Sequence, residues 1–283
     1  AQLERVHREI RSAAKALGYN NRDDLVSLFE RIAADGGLLS GEDILETYEQ
    51  IVADAQGRLG EAFGQLPQQE VVVIGGSTGG FYVAGSEDGS RPGAFYAATV
   101  GQEASFIMPT LAYHEAVPGH HLQIALAQEQ PLPDFRRYTN YTAFVEGWAL
   151  YAERLAWELG WYQNDPYGEL GRLLFEAIRA TRLALDTGIH AYGWSWGEAV
   201  SFYQRNTGSS QRMAEGNVAR FMRWPGQATA YMSGMLRLLE LREQMLADPG
   251  SRKQLRAFHK LVLSGAAMPM SILQRVVDDT ASP

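Results

Sequence analysis

Residues Tyr113 to Gln123 read Tyr-His-Glu-Ala-Val-Pro-Gly-His-His-Leu-Gln, and they constrain the fold more than any other stretch. Three of the chain's six histidines fall here, beside a glutamate. The residues on either side are helical in pattern. On an unbroken helix, His120 would sit roughly 240° round from His114, at about 100° per residue. His121 would regain the face but stand about 10.5 Å further along the axis, at about 1.5 Å per residue. Neither ring could then share a ligand with His114. Pro118 and Gly119 lie between them. Proline removes a backbone donor and clashes with the preceding turn, while glycine accepts unusual backbone angles. If the cluster is one site, the helix must break at Pro118-Gly119 and carry His120 under His114.

Adjacent His and Glu in such a cluster point to a metal. Catalytic zinc takes three protein ligands from His, Asp or Glu and leaves one position open. In the zincin pattern the His binds the ion and the Glu is the base that works on its water. His114 is the first expected ligand, Glu115 the expected base, and His120 or His121 the second ligand. The third is expected at Glu146, within Ala143-Phe144-Val145-Glu146-Gly147-Trp148-Ala149. A carboxylate in so apolar a run is costly to bury unless paired or metal-bound. Gly147 beside it allows another backbone to come close. Glu153 lies two turns on, on the same helix face. It can orient a ligand histidine or form an ordinary helix salt bridge.

Bulk properties narrow the class. The chain has 283 residues, 20% of them charged, and a net charge of −8. No basic run is present to meet phosphates, which argues against a nucleic-acid surface. No apolar run reaches membrane-spanning length. With no cysteine, disulfides, Cys-ligated zinc and a Cys nucleophile are all excluded. That favours a cytoplasmic protein slightly, with a periplasmic or secreted one without disulfides left open. The chain opens on Ala1, with no initiator Met, directly into an amphipathic helix, so it is expected to begin inside a longer gene product.

Taken in order, residues 2–17 read as a helix stopped by Gly18. Asn21-Arg22-Asp23-Asp24 caps a second helix, to about Ala34. Ser40-Gly41-Glu42-Asp43 starts a third, broken near Phe63. Val71-Val72-Val73-Ile74, Phe81–Ala84 and Ala94–Thr99 read as strands, with Gly75–Gly80 as a turn. From Ser105 the pattern is helical: Pro109 to the Pro118 break, then His120–Gln130, Tyr141–Leu159 and Tyr167–Asp186 with Gly188 as the stop. Ser195–Arg205, Gln211–Met222, Gln227–Ala247, Arg252–Leu263 and Met270–Val277 follow. The expected fold is one mainly α domain over residues 1–283 with a small antiparallel or mixed sheet (α+β). Its parts are a helical scaffold (1–66), the sheet (70–100) and a helical metal-site region (105–283).

The motifs His-Glu-Ala-Val-Pro-Gly-His-His-Leu-Gln and Val-Glu-Gly-Trp-Ala-Leu-Tyr-Ala-Glu resemble the domain-of-unknown-function 885 family of bacterial proteins. The likeness continues through Asp88–Gly93, Asp186–Trp194, Trp224–Ala228 and Phe258-His259-Lys260, so it covers nearly the whole chain. The family is related to zinc metallopeptidases of the gluzincin type. Against the oligopeptidase pattern His-Glu-x-Gly-His, this sequence has Ala-Val-Pro where one residue would stand. Gly119-His120 then falls on Gly-His, so the resemblance implies a zincin-like fold with His114, His120 and Glu146 on one Zn²⁺ per chain. His121 stays as the alternative ligand. Family members usually carry a longer N-terminal helical region. Tyr231-Met232 and His259-Lys260 stand where Tyr-Lys and His-Asp are expected.

The mechanism asks for a donor to a developing oxyanion. His190, with Tyr192 near it, and Tyr231 are the candidates. Arg182 and Asp186 share a helix face and can simply pair. Arg91, Tyr96, Tyr192 and Arg182 are candidate substrate contacts. The expected function is zinc-dependent hydrolysis of peptide or small amide bonds. The alternative is a non-peptidase metalloprotein on the same scaffold that binds or acts on a small molecule. Oligomeric state is not fixed by the sequence, and a homodimer is open to it.

Overall fold

Helix α7 (Thr142–Glu158) is buried on nearly every side: Phe144, Trp148, Ala149, Tyr151, Ala152, Leu155 and Ala156 are all inaccessible. A helix apolar all round belongs inside a protein. The computed structural model describes residues 1–20, 22–248 and 250–281. In chain order it begins with α1 (Gln2–Ala16), α2 (Leu25–Gly36), β1 (Leu38–Ser40) and α3 (Glu42–Arg58). Strands β2 (Val71–Gly76), β3 (Phe81–Val83), β4 (Gly93–Ala98) and β5 (Gln102–Ala104) follow. Next come α4 (Met108–Glu115), α5 (His120–Gln128), α6 (Asp134–Arg137), α7 and α8 (Pro166–Tyr192). The chain closes with α9 (Trp196–Thr207), α10 (Gln211–Arg223), α11 (Gln227–Met245), α12 (Arg252–Ser264) and α13 (Met270–Ala281). It is mainly helical with a small sheet, as the periodicity indicates.

The chain divides into two compact units. The first is built from Ala1–Leu39, Ala104–Thr110 and Gly160–Met232. In it α1 and α9 pack on α8, and α10 packs on α9. Val6, Ile10, Leu28, Phe29, Ile32 and Leu173 fill one core; Leu185, Tyr203, Val218 and Phe221 fill another. Glu176, buried in α8, is held by Arg5 and by Arg172 at 2.9 Å. Asp24 caps α2 by accepting from the Ser27 amide, whereas Asn21 lies outside the described residues.

The second unit takes Ser40–Glu103, Leu111–Leu159 and the chain from Ser233 onward. Its sheet is mixed, in the order β2-β4-β3. Strand β4 runs parallel to β2 (Val71↔Gly93 to Gly76↔Ala98) and antiparallel to β3 (Tyr82↔Phe95). Helices α3 and α5 pack against β4, and α5 also meets α7 and α12. Helix α7 crosses α11 at Gly147 and Gly234. A Cβ on Gly147 would lie 2.6 Å from the Gly234 backbone, so only glycine allows this crossing.

The ends of β2 and α8 differ from expectation, and three short elements were not expected. Gly75 and Gly76 belong to β2, because the ladder to Ala97 and Ala98 uses backbone groups and needs no side chain. Helix α8 passes Gly188 and stops at Gly193, which adopts the left-handed conformation (φ 67°). The Trp194 ring covers Gly188 so closely that a Cβ there would lie 2.4 Å from it. Elements β1, β5 and α6 are three or four residues long, too short to show a period.

Candidate metal centre

Helix α4 ends at Glu115 and α5 starts at His120. The intervening turn carries a cis Val117-Pro118 bond. Gly119 presses on the preceding turn, where a Cβ would lie 2.0 Å from the His114 carbonyl oxygen. The turn is held from both sides. His121 N–H donates to Ala116 O (3.0 Å), and the buried Trp148 Nε1–H donates to Pro118 O (2.9 Å). The helix therefore breaks where the geometry requires, and the break brings His120 beside His114 with ring centres 4.8 Å apart and nearly perpendicular.

Three nitrogen and oxygen atoms converge there. Glu146 Oε2, from α7, lies 3.5 Å from His114 Nε2 and 3.5 Å from His120 Nε2. Ligand atoms on a tetrahedral zinc with bonds of about 2.0–2.1 Å stand about 3.3–3.4 Å apart, so this spacing fits such an ion. Glu146 Oε2 is buried and has no hydrogen-bond partner, which is costly unless a cation is shared with it. Glu115 adjoins the pair: ligand atoms of His114, Glu115 and His120 all fall within 4.8 Å of one another. Either carboxylate could complete a set with the two imidazoles, and Glu146 offers one oxygen equidistant from both.

The surroundings fix the chemistry of His114. Its Nδ1–H donates to Glu153 Oε1 at 2.7 Å, and both side chains are buried. That bond sets the tautomer and aims the Nε2 lone pair toward Glu146 and His120. Burial works to lower the His114 pKa, but Glu146 and Glu153 outweigh it and hold the ring at about 9. Burial likewise works to raise Glu146, yet His114 and His120 hold it well below the usual carboxylate range.

His121 is placed differently. Its Nδ1 accepts from Tyr82 O–H (3.0 Å) and its Nε2–H donates to Gln69 O (3.1 Å). Burial pushes it down to about 4, so the ring is neutral. Both nitrogens are engaged, and His120 takes the position left open between the two. Tyr82, Gln69 and Trp148 carry no signal of this role in the sequence, except that Trp148 stands two residues after Glu146.

A family model described as "Bacterial protein of unknown function (DUF885)" matches residues 1–277. The chain belongs to this family. Among solved structures, the chain is similar to a "putative lipoprotein" from Colwellia psychrerythraea, at 35% identity and TM-score 0.91. That match covers 98% of this chain and 50% of the other. A "putative lipoprotein of unknown function" from Shewanella oneidensis shares the fold at 20% identity and TM-score 0.81, over 99% of this chain and 54% of the other. The chain thus spans about half the length of these structures. No curated protein matches it.

The remaining candidates fall into two groups. Arg91 and Tyr96 belong to the unit that carries the cluster; Arg91 is exposed in a loop, and Tyr96 stacks on Phe81. His190, Tyr192, Tyr231, Arg182 and Asp186 belong to the other unit. There His190 is in the last turn of α8 and donates to Phe221 O (3.0 Å), while Tyr192 is 76% exposed. Tyr231 is buried, with the Arg182 guanidinium 5.3 Å from its ring centre. Arg182 and Asp186 do not pair. Asp186 accepts from the Gly226 amide (3.0 Å), and Arg182 reaches Asn217 (3.5 Å).

Proposed function

We propose that this DUF885 member is a zinc-dependent hydrolase of peptide or other amide bonds, related in its site to the gluzincin metallopeptidases. The reading rests on one observation: Glu146 Oε2 stands 3.5 Å from the Nε2 atoms of both His114 and His120, without a hydrogen-bond donor of its own. Those three residues would hold one Zn²⁺. A zinc ion in such a site supplies Lewis acidity and lowers the pKa of water to about 7.

The chain's own residues do the rest. Glu153 keeps the proton on His114 Nδ1 and so keeps Nε2 free as a ligand. Glu115, next to His114 and within reach of both histidines, takes a proton at its carboxylate and returns it to the leaving amine. The burial of the cluster keeps these charges in a medium where they act strongly.

Zinc content after dialysis tests the first half, with His114→Ala and Glu146→Ala as controls. One ion per wild-type chain, lost in both variants, is expected; a metal-free wild type ends the proposal. Cleavage of a peptide library with and without chelator tests the second half. Glu115→Gln should keep the ion and lose cleavage. The description of the 35% identical Colwellia protein as a "putative lipoprotein" supports a place for this protein at the cell envelope. No described helix is long and apolar enough to cross a membrane.

A further inference from the structure

Arg182 lies in α8, in the unit that holds Gly160–Met232, and no carboxylate pairs with it among the described residues. Asp186 stands one turn on, where it could do so. Its two oxygens instead accept from the Gly226 amide, at 3.0 and 3.1 Å. The hydrogen bond that Arg182 does make is long and meets a neutral atom, from Nη2 to Asn217 Oδ1 (3.5 Å). Burial pushes its pKa below the ordinary arginine value, and the like charges of Arg179 and Arg220 add to the effect.

The guanidinium is nevertheless held in place. Its central carbon lies 5.3 Å from the Tyr231 ring centre and 5.5 Å from that of Phe221. Rings at this distance attract a cation and orient its plane, but they do not neutralise it. Nε is enclosed without a partner, so no ligand reaches it. Nη1 makes no hydrogen bond either, yet it stays open to solvent, and Arg182 as a whole is only partly buried. A positive charge fixed between two rings and unmet by the protein is costly unless an anion joins it. Water can hydrate Nη1 but brings no countercharge.

We infer that Arg182 is an anion-binding residue whose ligand is a carboxylate of a bound peptide. A carboxylate carries one negative charge and meets guanidinium nitrogens in short, charge-assisted bonds. A phosphate dianion asks for more donors than stand here. Arg220 is turned to the Trp224 ring (5.6 Å) and to Gln227 (3.4 Å), and Arg179 lies over the Phe175 ring (4.5 Å). The carboxylate can be a peptide's C-terminus or an acidic side chain. That its carrier is a peptide rests on the proposed amide hydrolysis; the unmet charge of Arg182 does not.

The test measures binding rather than turnover, on the full chain carrying Glu115→Gln, in a buffer free of carboxylate and phosphate. One pair of probes is N-acetyl-trialanine as the free acid and as the amide. The other is N-acetyl-Ala-Glu-Ala amide and N-acetyl-Ala-Gln-Ala amide. In calorimetric titration the charged member of one pair is expected to bind at least about 10-fold more tightly than its neutral counterpart. The pair that shows this preference identifies the source of the carboxylate. Adding Arg182→Met should remove the preference. Because the charge is unmet in the free protein, that variant should also unfold at a denaturant midpoint no lower than its parent's. Equal binding within both pairs, a preference that survives Arg182→Met, or a lowered midpoint in the variant overturns the proposal. If the preference is found but wild type takes up no zinc, the Arg182 site stands and the hydrolase reading falls. If zinc and cleavage are found without the preference, the Arg182 site falls and the hydrolase reading stands.

Discussion

Glu153 accepts the Nδ1–H of His114 at 2.7 Å, from a position 39 residues further along the chain, with both side chains buried. The pair turns a histidine that could present either nitrogen into one that presents Nε2. Partners of this kind tune ligand basicity and ring orientation. Glu153→Gln keeps an acceptor but removes the charge. We expect zinc affinity to fall about 10–100-fold, with the fold intact. Competition against a chelating dye measures it, and an unchanged affinity would leave Glu153 with a packing role only.

His120 and His121 are neighbours with opposite assignments. His120→Ala should abolish stoichiometric zinc, because it removes one of two imidazoles at 3.5 Å from Glu146. His121→Gln should keep the metal and instead loosen the contacts to Tyr82 and Gln69. Metal analysis of the two variants side by side decides between them. Zinc retained in the first and lost in the second would reverse the assignment.

Trp148 holds the turn between the two histidines through the Pro118 carbonyl. Trp148→Phe preserves an aromatic ring but strands a buried acceptor, at a cost of about 1–3 kcal/mol. Denaturant unfolding should show that loss, and zinc affinity should fall with it because His120 follows the turn. Full stability in the variant would show that the carbonyl finds another donor.

His259 sets an acid limit. It is buried, donates from Nδ1 to Ala62 O (2.9 Å) and accepts at Nε2 from Tyr151 O–H (2.8 Å). Burial lowers its pKa to about 3, against about 6.5 in an unfolded chain. Between these values the unfolded state binds the extra proton. The stabilisation is thus complete above about pH 6.5 and is lost as pH falls toward 3. At pH 4.5 roughly 3 kcal/mol of the His259 contribution is lost. His259→Gln should flatten the acid limb of the stability profile between pH 6 and 4 (roughly the window set by the two values). An identical slope in the variant would assign the acid sensitivity to other groups.

Much of this was legible in the sequence because it is local. Apolar spacing marked nearly every helix, and β-branched runs marked β2 and β4. Helix geometry alone required Pro118-Gly119 to interrupt α4 before His114 and a later histidine could meet. The apolar run around Glu146 singled that carboxylate out, since burial without a partner is costly. Gly188 misled, because whether a glycine ends a helix depends on what covers it, and here the Trp194 ring does.

Tertiary structure decided what periodicity cannot express. Local geometry left His120 and His121 both open. The choice fell to Tyr82 and Gln69, which occupy His121 from the sheet side, and to Glu146, which faces His120 from α7. The pairing of Glu153 with His114, rather than with a residue on its own helix, follows from how α7 packs. The sequence by itself supplied the groups able to hold a cation and the break that lets them meet. Distances among atoms many residues apart depend on packing, and packing alone determined which of those groups share one point in space.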